Sequence, residues 1–89
     1  MALRILSSPS APQGLVEEIR RAILAALPDA RVEVEAGSPG HFALRVVSAA
    51  FAGKSRLRQQ QLVYGAIASL MQGDAAPVHA IDRLQTELP

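Results

Sequence analysis

The sequence predicts an α/β fold of the α+β kind, in the order helix, strand, strand, helical region, strand. Three observations predict it. An apolar stripe of helical spacing fills residues 15–27, and two alternating stretches flank a Gly/Pro-rich turn. Helical spacing then returns over residues 62–71 before a short apolar run. With 49% of its 89 residues apolar and 19% charged, the chain can bury one core but has no length for two domains.

Ser7 to Gly14 hold three serines, two prolines and a glycine, which suit a flexible lead-in over residues 1–14 and a domain over residues 15–89. Leu15, Val16, Ile19, Ile23, Leu24 and Leu27 then form one helical face, with Glu17 and Arg21 paired a turn apart outside it and Pro28 as the stop. Arg31-Val32-Glu33-Val34-Glu35 alternates strictly, so its valines face inward and its charges face water. Ala36-Gly37-Ser38-Pro39-Gly40 is a turn by composition, and residues 41–48 make a second strand with Phe42, Leu44 and Val46 inward.

Past Phe51 and Gly53, the apolar residues Leu62, Val63, Ala66, Ile67, Leu70 and Met71 mark a helix, which Gly73 ends; Gly65 weakens it. Residues 78–84 form the third strand. The return from the second strand to the third through helices is the crossover that parallel neighbours require, and it should be right-handed. The expected architecture is therefore a three-stranded mixed sheet with helices on one face.

The composition excludes several functions. Without cysteine the chain has no disulfide, thiol nucleophile or cysteine-based metal site of its own. Nine basic and eight acidic side chains leave a net charge of +1, so any attraction to a polyanion must come from a local patch. No apolar run reaches the roughly 18 residues of a membrane span. We expect a soluble, cytoplasmic monomer with no membrane contact.

Gly53-Lys54-Ser55 resembles the end of a phosphate-binding P-loop, but the glycine required five residues earlier is Ser48. Lys54, Arg56 and Arg58, joined by Arg45 from a strand, could form a basic edge at a helix start; such clusters are also ordinary solvated helix ends. His41 and His79 each stand at or beside the start of a strand. Two imidazoles without a nearby cysteine or carboxylate do not close a metal site, but they suit one that another molecule completes. No serine or carboxylate has a recognisable setting beside a histidine, so an enzyme is not expected.

The runs His41-Phe42, Val46-Val47-Ser48, Phe51-Ala52-Gly53-Lys54-Ser55, Leu62-Val63-Tyr64 and Val78-His79-Ala80, in this order and spacing, resemble the BolA-like family across about residues 15–89. The resemblance implies a type II KH-like fold with a helix-turn-helix-like centre, in which a short helix precedes a longer one between Phe51 and Gly73. It also implies a partner, a monothiol glutaredoxin, and a shared two-iron two-sulfur (2Fe-2S) cluster. The glutaredoxin cysteine and glutathione would hold one iron, and this chain would supply ligands to the other. His79 matches the family's histidine near the third strand. The hairpin loop, where relatives carry a cysteine or histidine, is Ala36-Gly37-Ser38-Pro39-Gly40, which leaves His41 as the nearest substitute.

Two functions follow. The first is a non-enzymatic glutaredoxin partner that shares or transfers the cluster, with His79 and His41 as ligands and no cofactor held by the isolated chain. The alternative is a transcriptional regulator that binds DNA through Lys54, Arg56 and Arg58. Gln59-Gln60-Gln61 replaces the Arg-His-Arg-like run of relatives, which removes charge from that second surface.

Overall fold

The computed structural model describes residues 12–89. Helix α1 (Pro12–Ala26) leads to strands β1 (Arg31–Ala36) and β2 (His41–Val47); a single 3-10 turn (Ala49–Phe51), helix α2 (Arg56–Met71) and strand β3 (Ala80–Glu87) follow. The sheet order is β1-β2-β3, with β1 antiparallel and β3 parallel to β2. This is the expected α+β architecture. The 3-10 turn is the short helix before the longer one.

Helix α1 begins at Pro12, before the expected start at Leu15, because proline is tolerated in a first turn, where its missing N–H has no partner to lose. The rest of the expected lead-in, residues 1–11, lies outside the described residues. Leu15, Ile19, Ile23 and Leu27 recur every fourth position and are all buried. They pack against Val32, Phe42, Leu44 and Val46 of the sheet, Phe51 of the 3-10 turn, and Val63 and Ile67 of α2. Burying such a side chain contributes about 1.5–3 kcal/mol. Outside the core, Glu17 pairs with Arg20 at 3.5 Å instead of with Arg21. Arg20 is placed for this because its guanidinium also donates to the Val32 carbonyl at 2.6 Å, bridging α1 and β1.

The third strand differs most from expectation: it runs over Ala80–Glu87, not over residues 78–84. Val78 is a buried core residue whose N–H donates to the Leu70 carbonyl of α2 at 3.1 Å, so it cannot join the ladder. Pairing with β2 then carries the strand past its polar residues to Glu87, opposite Val47. The register is regular except for one break. Phe42 pairs with Ile81 and Ala43 with Arg83, which leaves Asp82 as an extra residue. In a two-residue repeat, a one-residue insertion reverses which side chains face inward. Here it turns Leu84 and Thr86 toward the helices after Ile81 has already faced them, and β3 keeps one covered face despite its irregular pattern.

Two polar junctions lock the helices to the sheet. The Thr86 hydroxyl donates to Gln59 Oε1 at 2.6 Å, while Gln59 Nε2 donates to the carbonyls of Lys54 and Phe51. Gln59 therefore has a structural duty in place of a charge. At the end of β2, the fully buried Ser48 donates through Oγ to Asp29 Oδ1 at 2.8 Å, and Asp29 Oδ2 accepts the Ala49 N–H at 2.8 Å.

The Ala49 N–H, and then the Ser48 hydroxyl, hold the Asp29 carboxyl below its ordinary 3.8. Arg45 likewise holds Glu87 below 4.5. Both shifts favour the charged form in the fold, so their stabilisation is present above these ordinary values and is lost as the pH falls through the lowered ones. In denaturant titrations across pH, Asp29→Asn should be less stable than wild type at neutral pH, and the gap should narrow below about pH 4. An equal gap at every pH would assign the effect to neutral hydrogen bonding.

Candidate functional site

One corner of the fold brings the two histidines together. The hairpin turn is closed by the His41 N–H donating to the Ser38 carbonyl at 2.8 Å and the Gly37 N–H donating to the His41 carbonyl at 2.9 Å. Gly40 precedes His41 with φ of 80°, in the left-handed region that glycine adopts readily. Its carbonyl accepts the N–H groups of both His79 (2.8 Å) and Ala80 (3.1 Å), which ties the start of β3 to the hairpin.

The His79 ring lies directly over Gly40, so that a Cβ at that position would stand 2.5 Å from Nδ1. The ring is exposed. His41, the first residue of β2, stands edge-on to it, with centroids 6.5 Å apart and planes at 86°. The His41 Nδ1 is 3.0 Å from Asp82 Oδ1. A mostly apolar cleft of about 460 Å³ opens beside His79, between the hairpin turn, the Ala75-Ala76-Pro77 loop, Leu15 and Phe42.

This arrangement corrects one expectation, that no carboxylate lies near either histidine. Asp82 is 41 positions from His41 in sequence and reaches it only through the β2–β3 register. Even so, among the described residues no three histidine, cysteine, aspartate or glutamate side chains form a metal-binding group. An exposed imidazole and a partly exposed one fit a metal that a second molecule also ligates, and thiolates would have to come from that molecule because this chain has none.

The basic residues form a separate feature. Ser55 caps α2 by accepting the Arg58 N–H at 3.2 Å, and Arg56 and Arg58 stand exposed on its first turn. Lys54 donates to the Ala50 carbonyl at 2.9 Å. This group follows the far end of β2, whereas His41 begins that strand. Arg45 is not available to it: on the open sheet face it pairs with Glu33 at 3.0 Å and Glu87 at 2.8 Å, which neutralise its charge. Among the described residues, no helix is long and apolar enough to cross a membrane.

Two helices on one face of a mixed three-stranded sheet, with two neighbouring imidazoles at the hairpin corner, define a small α+β domain. The model of the BolA-like protein family matches residues 19–87, and the chain belongs to that family. It is similar to the BolA domain of SufE1 from Arabidopsis thaliana, with 29% identity and a TM-score of 0.71, covering 89% of this chain and 96% of that one. A BolA protein homologue from Coxiella burnetii is 34% identical with a TM-score of 0.66, covering 82% and 88%. Yeast Fra2 is 30% identical with a TM-score of 0.58, covering 89% and 80%. No match was found among curated protein sequences.

Proposed function

We propose that the protein is a non-enzymatic partner of a monothiol glutaredoxin and shares or helps transfer a two-iron two-sulfur cluster. The cluster is cargo, held also by the partner's cysteine and by glutathione. The observation that carries this reading is the exposed His79 ring, seated on Gly40 and 6.5 Å from His41 in a chain without thiols. Family membership and the likeness to the SufE1 BolA domain and to yeast Fra2 support it. Imidazole in place of thiolate removes negative charge from a cluster and raises its potential. His79 and His41 would thereby make the shared cluster electronically distinct from one held by glutaredoxin alone.

Titrating a glutathione-ligated, cluster-loaded glutaredoxin with this protein, followed by visible circular dichroism, tests the reading. Wild type should produce a new spectrum that His79→Ala abolishes, and loss with His41→Ala as well would make His41 the second ligand. No spectral change and no complex would reject it.

That result would favour the alternative, a DNA-binding regulator. Its support is that Arg56 and Arg58 stand exposed at the α2 N-terminus, where unpaired N–H groups also attract phosphate. Its mark would be affinity that falls steeply with salt, and further on replacing Lys54, Arg56 and Arg58 with alanine.

A further inference from the structure

We propose that Asp82 is a positioning residue that fixes the proton of His41 on Nδ1 and so leaves Nε2 free to bind metal beside His79. The proposal rests on the shared-cluster reading and assigns a role within it to a residue that acts through His41. Asp82 is the one residue of β3 without a ladder partner on β2 at the Phe42/Ala43 irregularity. An extra residue of this kind re-aims its side chain, and bulges concentrate beside functional sites for that reason. Here the carboxylate turns toward His41, with Oδ1 3.0 Å from Nδ1.

The chemistry of that contact has one outcome. A carboxylate oxygen only accepts hydrogen bonds, so the imidazole nitrogen facing it must carry the proton and donate. In a neutral ring the other nitrogen, Nε2, then holds the free lone pair that a metal requires. A carboxylate behind a ligating histidine fixes both tautomer and ring direction. Neighbouring charge does not compete for Asp82, because the adjacent Arg83 turns to Glu35 at 3.8 Å. The histidine and aspartate side chains are 38% and 58% exposed, so the pair adds little stability in water. Its effect falls on orientation instead.

Two measurements test the proposal. The first uses the free protein in basic buffer, where free histidine is neutral, and reads the imidazole nitrogens by proton–nitrogen correlation NMR. Wild-type His41 should show a protonated Nδ1 and a bare Nε2. Asp82→Ala should shift the proton toward Nε2, and Asp82→Asn, which can still offer an oxygen, should restore part of the wild-type pattern. A wild-type His41 protonated on Nε2 would overturn the proposal without touching the glutaredoxin reading.

The second repeats the dichroism titration with Asp82→Ala, whose melting temperature should stay close to wild type. The new spectrum should need about 10-fold more protein, the lower end of the effect of losing such a supporting group. A titration equal to wild type would refute the positioning role while leaving shared ligation intact. If wild type itself gives no spectrum, the shared-cluster reading falls and the positioning role of Asp82 falls with it, whichever tautomer the NMR shows.

Discussion

Phe51→Ala is expected to lower the unfolding free energy by about 3–5 kcal/mol, the usual cost of emptying an aromatic site in a core. Phe51 is 0% exposed and is contributed by a single 3-10 turn, so no long helix can slide to refill its space. Its carbonyl also accepts from the Lys54 N–H at 3.1 Å and the Gln59 amide at 3.3 Å, so a displaced turn would disturb the start of α2 as well. Domains of this size have roughly 5–15 kcal/mol in all, and the variant would stand near the limit of folding. Urea titration should show a much lower midpoint with an unchanged slope. Leu57→Ala, at a residue 62% exposed, should stay within about 0.5 kcal/mol of wild type and serves as the control.

Gly40→Ala is expected to cost about 1–3 kcal/mol and to displace the His79 ring. Left-handed backbone strains any residue with a Cβ, and here the added carbon would also stand 2.5 Å from His79 Nδ1 and 2.7 Å from its Cγ. The backbone cannot yield easily, since the Gly40 carbonyl holds the N–H groups of both His79 and Ala80. The ring must move. Gly53→Ala separates the two effects, because Gly53 has a similar φ of 75° and no atom within 4 Å of the added carbon. It should show the backbone cost alone. Denaturant midpoints and the His79 ring resonances of both variants check this, and equal midpoints with an unmoved His79 ring in Gly40→Ala would show the contact to be relieved cheaply. On the proposed function, Gly40→Ala should also weaken the glutaredoxin spectrum while Gly53→Ala leaves it unchanged.

Much of the fold was legible because it rests on local periodicity. The four-residue spacing of Leu15, Ile19, Ile23 and Leu27, and the alternation of Phe42, Leu44 and Val46, each place a buried face without reference to any distant residue. The bounds of β3 were not legible. Val78 belongs by composition to a strand and by hydrogen bonding to the end of α2, while Gln85 and Glu87 enter the ladder only because β2 lies alongside. Arg45 was misplaced for a similar reason: a basic residue in sequence becomes a neutralised one once Glu33 and Glu87 flank it across two strand pairings.

By itself the sequence determined the order of elements, the faces they bury and the lack of thiols, and it singled out His41 and His79 as its two imidazoles. Only the tertiary structure decided that His79 rests on Gly40, that Asp82 stands behind His41, and that Asp29 holds Ser48 and Ala49. These contacts join residues between 19 and 41 positions apart. Periodicity reports which way a side chain points within its own element. Which partner it meets depends on how the elements are set against one another, and for Asp82 a single extra residue in β3 decides it.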